Sequence, residues 1–521
     1  MVGLPTEHKQ RFLIVAAVIS VALMLLWPAM LNGEPFYMPD TPSYIRGADG
    51  AVHELTGTTS AWSDEFQKRF AEPSTTPKTS PTVSQSSGGV QSPVSSGEPA
   101  VVLKGRSIYY GALLYAAQWF GNFWAMAVFQ ALLCSIAILL TIAAVRGALG
   151  RKTRPINAVA AGVALAALTP IGYFATYLLP DVFGALGLLA VGHLLFFWEQ
   201  ESRLSRFFWF ALLACATLFH TANILLVSFL AVAAGIGLMF RLPANKIGFA
   251  AVVVTLGVGL LGQMAFVWGV KHATGAAPVR PPFLAARIID DGPGYEYLRE
   301  HCPEVRLIYC RTLPFRTRDS ATLLWSADPR EGIFQALSPA EQRLAAAQQN
   351  AFVVAVMKER PLELVTSSIG AFFRQLGYFK LESFNYTGHN NYYFRNKLPE
   401  PFLEHAKQSR AYQQKMPVKF VEWATLASVL ASLAAVALTI RAIIRREKKF
   451  TPAVGFLLFL VLGVLFNAAI CGAFSTPRGR YQMRLIWVLP LVALATCRVR
   501  VGRGHAIDAV TDSPVDRVAA V

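Results

Sequence analysis

Stretches of about twenty apolar residues recur along the whole chain, and short segments rich in Lys and Arg separate them. A helix rises about 1.5 Å per residue, so each stretch is long enough to cross a bilayer as one helix. In hydrocarbon every backbone polar group must be paired within its own segment, and that selects helices over open sheets. Composition agrees: the chain is 54% hydrophobic with a mean hydropathy of +0.42, above the usual range for a soluble domain. The formal charge of +17 invites a nucleic-acid reading. The basic residues sit between apolar runs and form no contiguous patch, which is the positive-inside pattern of a membrane protein. No nucleic-acid partner is expected.

Read with that rule, the spans are 12–31, 122–145, 156–178, 180–198, two short ones within 207–240, 247–270, 418–440, 452–474 and 485–497. Residues 12–31 are too long for a signal-peptide core and lack a small-residue cleavage site, so they read as a retained first span. The expected fold is an all-α polytopic membrane protein of about ten transmembrane helices, with a mostly helical extracytoplasmic domain inserted before span eight. Three regions follow: a seven-span membrane domain at 1–270, an extracytoplasmic domain at 271–417, and a three-span membrane domain with a cytoplasmic tail at 418–521. Both termini fall on the cytoplasmic side, and the protein is expected to be multi-pass in the inner membrane. Residues 72–100 are nearly all Ser, Thr, Pro, Gly and Val, a composition that cannot offset chain entropy, and read as a disordered insert. In the extracytoplasmic segment Ser338, Pro339 and Glu341 spell an N-cap, a first-turn proline and a capping box, and predict a helix to about residue 357. Cys134, Cys215, Cys471 and Cys497 lie in apolar spans and read as small core residues. Cys302 and Cys310 share a polar segment on the oxidising side, where a disulfide is expected.

The polar residues that could carry chemistry fall at one level of this frame. Asp40, in Pro39-Asp40-Thr41-Pro42, follows the first span; it suits a helix N-cap, and it equally suits accepting a proton from a hydroxyl. Asp181 opens span four, where a carboxylate is favoured by the helix dipole and a charge near lipid is a functional hypothesis by default. His220 and Asn223 occupy the turn between the two short spans, read at 217–223, either as a satisfied turn or as part of a shared cavity. Arg478, Arg480 and Arg484 surround Tyr481 in an outer loop, against the charge bias. They could snorkel to headgroups or bind phosphate through the planar fork of the guanidinium, and Arg106 could join them.

An early Asp after the first span, a Leu179-Pro180-Asp181 opening of the fourth, and a late Arg480-Tyr481 with Pro490 downstream resemble the GT-C superfamily of integral-membrane glycosyltransferases, in particular protein O-mannosyltransferases and the lipid A aminoarabinose transferase class. The resemblance covers about 12–270 and 418–498. It implies an inverting transfer of sugar from a polyprenyl-phosphate donor to a hydroxyl on a glycan, lipid or protein acceptor, at the extracytoplasmic face among membrane lipids. By that likeness Asp40 is the catalytic base. Asp181, with His220 and Asn223, lies on the acceptor or metal side. Arg480, with Tyr481, Arg484, Arg478 and Arg106, holds the donor phosphate. The chain departs from the pattern by lacking a paired acid in the first loop, which leaves a divalent cation open, and by the position of its large outer insertion. A transporter, flippase or polymerase-like enzyme for the same lipids would share the arginines without needing Asp40. A non-catalytic scaffold would need neither carboxylate.

Overall fold

The computed structural model describes residues 6–62, 101–120, 122–240, 243–388, 394–395, 397–445 and 451–496. The 72–100 insert, Cys497 and the basic residues 446–449 and beyond 497 lie outside the described residues. The chain is 74% helical, with no strand among the described residues. Two isolated bridges, Phe36 with Tyr177 and Leu103 with Val279, are its only β pairings there.

The first half comprises α1 (Thr6–Leu25), α2 (Trp27–Asn32), α3 (Thr41–Thr56), α4 (Ile108–Ala117), α5 (Trp124–Ala148), α6 (Pro155–Leu168), α7 (Ile171–Ala175), α8 (Val182–Phe196), α9 (Arg203–Phe219), α10 (Thr221–Met239) and α11 (Lys246–Thr274). The second comprises α12 (Phe283–Asp291), α13 (Pro293–His301), α14 (Ser320–Trp325), α15 (Pro339–Glu359), α16 (Pro361–Leu376), α17 (Glu400–Gln408), α18 (Val418–Ile444), α19 (Pro452–Ala473), α20 (Gly479–Ile486) and α21 (Val488–Thr496). Five of these, α5, α10, α11, α18 and α19, are long and apolar enough to cross a membrane. α11 leaves Val253, Leu260, Leu261, Met264 and Trp268 exposed, a surface that lipid would cover and water would not.

Several expected spans are interrupted, and the breaks have local causes. The first is α1 followed by α2, with Pro28 at the start of α2 and Gly33 ending it at φ 92°. Pro170, which has no N–H, divides α6 from α7. The turn predicted at 217–223 contracts to His220 alone, whose extended backbone (φ −147°) separates α9 from α10. Pro490 withholds the N–H that residue 486 would accept, and α20 gives way to α21 at Trp487. Most breaks fall at one end of the bundle, around Asp40. At the other end Arg151 donates to the Thr496 carbonyl at 2.5 Å and the Asn245 N–H to Leu195 O at 2.7 Å.

α8 is the axis of the bundle. Residues 182–195 are buried throughout, and α8 packs on α5, α9, α10, α11, α19 and α20. The large polar segment divides between two cores. Residues 279–356 form a separate core with Val101 and Leu103 at its edge. Leu381, Phe384, Tyr386, Phe394, Phe402 and Met416 instead join the main core with Phe36, Tyr37 and Trp62. The α15 N-terminus is as read: Ser338 accepts from Glu341 N–H, and Glu341 accepts from Ser338 N–H. The Cys302–Cys310 disulfide is present.

Candidate functional site

Two loops bring the carboxylates together. Phe36 N–H donates to Thr176 O at 3.0 Å and Leu178 N–H to Phe36 O at 2.9 Å. Thr41 Oγ1 donates to Leu178 O at 3.1 Å and accepts from Met38 N–H. The loop carrying Asp40 is thus stitched to the loop carrying Asp181. Buried Gln130 fixes the second loop from beneath, its amide donating to Ala175 O and Tyr177 O.

Asp40 directly precedes α3 but makes no side-chain cap bond. Its Oδ1 accepts from Arg106 Nη2 at 2.6 Å, with 29% of the Asp40 side chain exposed. The pairing depends on a close crossing of α3 and α4. A Cβ on Gly111 would stand 2.3 Å from Tyr44 O, so only glycine allows the approach. Burial pushes the Asp40 carboxyl up, but Arg106, Arg480 and Lys397 outweigh it and hold Asp40 below the usual carboxylate range.

Asp181 also makes no cap bond. It accepts from Arg484 Nη1 at 3.2 Å, with both side chains under 5% exposed. Arg484 Nη2 donates to Asn467 Oδ1 at 3.2 Å, and Asn467 Nδ2 donates to Tyr481 O at 2.8 Å. Both terminal nitrogens of Arg484 are therefore engaged by protein acceptors.

Arg480, one turn earlier on α20, lies within electrostatic reach of Asp40, Asp181 and Tyr177. Its guanidinium carbon is 5.1 Å from the Tyr481 ring centre, and that of Arg484 is 5.4 Å away. Tyr481 thus seats both arginines, which the i, i+4 spacing places on one helix face. Among the described residues, Arg480 Nη1, Arg106 Nε, Arg484 Nε and both amide atoms of Gln482 are buried with no hydrogen-bond partner. Orphaned buried donors are few in native proteins, and each calls for an explanation.

His220 caps α10, its Nδ1 accepting from Ala222 N–H at 3.1 Å. Neutral imidazole must then carry its proton on Nε2. Burial, with nearby Arg484, lowers its pKa to about 4 and keeps it neutral at pH 7. Asn223 donates to Ala216 O at 3.0 Å, a local bond that ties the turn. Arg478 stands apart: it is 45% exposed and faces Asp319 at 3.9 Å.

The structure thus gathers Asp40, Arg106, Asp181, Arg480, Arg484, Tyr481, His220 and Asn223 around one region and leaves Arg478 outside. Sequence reasoning missed Tyr44, Gln130, Lys397, Asn467 and Gln482. Tyr44 falls one helical turn after Asp40, and Asn467 is a lone amide in an apolar span; both were readable signals. Lys397 had none. Among the described residues, one group of three metal-capable side chains converges, Glu300, His301 and Glu359, and it lies in the segment between α11 and α18. In the site itself each carboxylate is matched to a guanidinium, and three guanidiniums against two carboxylates leave the region net positive. That donor set suits an anionic oxygen cluster better than a cation. No protein-family model, curated protein or solved structure matches the chain.

Proposed function

We propose that the protein is a membrane glycosyltransferase of GT-C type that takes sugar from a polyprenyl-phosphate donor. The observation that carries the reading is the placement of Arg480, with a buried unpartnered Nη1, beside the Asp40–Arg106 pair. A guanidinium with a free N–H in a net positive pocket suits a phosphate oxygen. A carboxylate held ionised next to it suits a base. In the reaction the acceptor oxygen bonds to the anomeric carbon as the bond to the phosphate oxygen breaks. The hydroxyl proton passes to Asp40, and the phosphate keeps the electron pair. Arg480 opposes the charge growing on phosphate. Arg106 couples the two halves, because a phosphate that draws it away leaves Asp40 more basic. The Nε2–H of neutral His220 adds a donor without adding charge. Arg484 and Asn467 hold Asp181 in place.

The reading includes ten crossings, several by broken helices, with the Asp40 end extracytoplasmic. Irregular backbone at membrane depth is tolerated where protein buries it, as it does around α8.

Sugar transfer in membranes carrying Asp40→Asn and Arg480→Lys tests the reading, with donor binding assayed separately. Asp40→Asn should lower transfer by roughly two to four orders of magnitude and leave donor binding nearly unchanged. Arg480→Lys keeps the charge but loses the fork, so donor binding should weaken with turnover. Full transfer by Asp40→Asn removes the base. A silent Asp40→Asn with a damaging Arg480→Lys favours a transporter.

A further inference from the structure

α16 divides into three sectors. At about 100° per residue, Ala371 and Gln375 fall on one side, and both are buried. Ala371 meets α19 so closely that a Cβ on Gly472 would lie 2.9 Å from Ala371 O. Gln375 donates to Arg478 O at 3.1 Å and accepts from Arg478 N–H at 3.0 Å, which fastens the end of α16 to the loop before Arg480. A second sector carries Glu363, Gly370 and Arg374 and is exposed. The third is a stripe of Leu362, Val365, Ile369 and Phe373, exposed by 79, 55, 51 and 63%. These four lie within roughly 80° of one another on the helix. Thr366 borders the stripe, and its hydroxyl is already spent on the carbonyls of Leu362 and Glu363.

We propose that α16 is an interfacial helix that lays this stripe into the lipid leaflet on the Asp40 side. A helix needs three kinds of surface only where it meets three media, here protein, lipid and water. Continuity points to lipid as the occupant. α16 packs on α19 and α19 on α10, whose Phe229, Val232 and Ile236 are exposed along an apolar helix long enough to cross a membrane. Phe474, two residues beyond the Gly472 contact at the end of α19, is also exposed. Since α16 holds Arg478, lipid seating sets the height of the loop that carries Arg480. The proposal rests on the chain crossing a membrane and does not require sugar transfer.

Single cysteines test it in the full-length protein, in a background without the free cysteines, spin-labelled and reconstituted into phosphatidylcholine liposomes. Leu362→Cys, Val365→Cys, Ile369→Cys and Phe373→Cys should relax preferentially with oxygen, which concentrates in lipid. Glu363→Cys, Gly370→Cys and Arg374→Cys should relax preferentially with a water-soluble nickel chelate. The preference should alternate with the helical period. Nickel access at all seven overturns the proposal, and so does shielding of the stripe from both reagents, which means a protein partner or second copy covers it. If a label disturbs folding, bimane on Ile369→Cys serves instead: brominated lipid should quench it several-fold more than iodide does, and the reverse ranking overturns the proposal. Absence of sugar transfer by the reconstituted unlabelled protein, with the stripe still in lipid, counts against the enzymatic reading alone.

Discussion

Arg484 is assigned to hold Asp181 rather than a ligand, and removing it separates the two roles. In Arg484→Met the Asp181 carboxylate, 4% exposed, loses its guanidinium, and Asn467 Oδ1 loses a donor. Breaking one side of a buried ion pair costs about 3–5 kcal/mol, because the remaining charge stays desolvated. Asp181→Leu should cost a similar amount by stranding the guanidinium. The double variant strands neither charge, so it should be more stable than either single one. The assay is the unfolding midpoint in one detergent at one scan rate, read by intrinsic fluorescence. The expected drop is about 3–5 °C for each single variant in a chain of this length, with partial recovery in the double. If Arg484→Met unfolds within about 1 °C of the parent, or the double loses the sum of the two singles, the clamp is refuted. Lost donor binding at unchanged stability would make Arg484 a phosphate ligand instead.

Gly111→Ala should force α3 from α4, costing roughly 1–3 kcal/mol and lowering transfer through the Asp40–Arg106 pair; unchanged transfer counts against that crossing as the positioning device. Replacing Cys302 and Cys310 together by Ser should lower stability by about 2–3 kcal/mol at most, since the closed loop is short, and thermal melts with and without reductant check it. Burial raises the Glu34 carboxyl to about 8, so the folded state keeps its proton while the unfolded chain loses it near pH 4; stability should fall as pH rises from about 4 to 8. Glu34→Gln should remove that fall and melt above the parent at pH 9, whereas parallel pH profiles would exclude it. Impermeant maleimide on whole cells should reach a cysteine placed at Arg316 and miss one at Arg151; the opposite result inverts the proposed orientation.

Much of the helical frame was legible because apolar length is a strong signal: α5, α11, α18 and α19 lie within a few residues of the expected bounds. The interruptions were harder to read. Pro28, Pro170 and Pro490 were visible, but proline alone does not tell a kinked span from a broken one; the choice rests on whether neighbours satisfy the freed carbonyls. The polar segment before α18 was read as one outer unit because its composition changes at both ends. Composition cannot reveal that Leu381, Phe384 and Tyr386 pack against Phe36 and Tyr37, more than three hundred residues earlier, since nothing local marks a long-range pairing.

At the site, residue type and order picked out residues that the structure brings together, but not the pairing among them. Asp40 and Asp181 both precede helices, so local rules offered Asp40 an N-cap role and Asp181 a place favoured by the helix dipole. In the structure neither caps, because a guanidinium is available to each, and a charge-assisted bond outweighs a cap to a backbone N–H. The four arginines read alike in sequence, yet they divide by what surrounds them. Arg484 has Asp181 and Asn467, Arg106 has Asp40, and Arg478 faces Asp319 near solvent. Arg480 has no carboxylate partner among the described residues, and its buried Nη1 has no hydrogen-bond partner. That difference arises from packing around α20, where Tyr481 supports both neighbours and α16 fixes the loop before them. Charge pattern brings these arginines to notice, but only their pairing in the fold separates Arg480, which has no carboxylate partner among the described residues, from Arg106 and Arg484, which each have one.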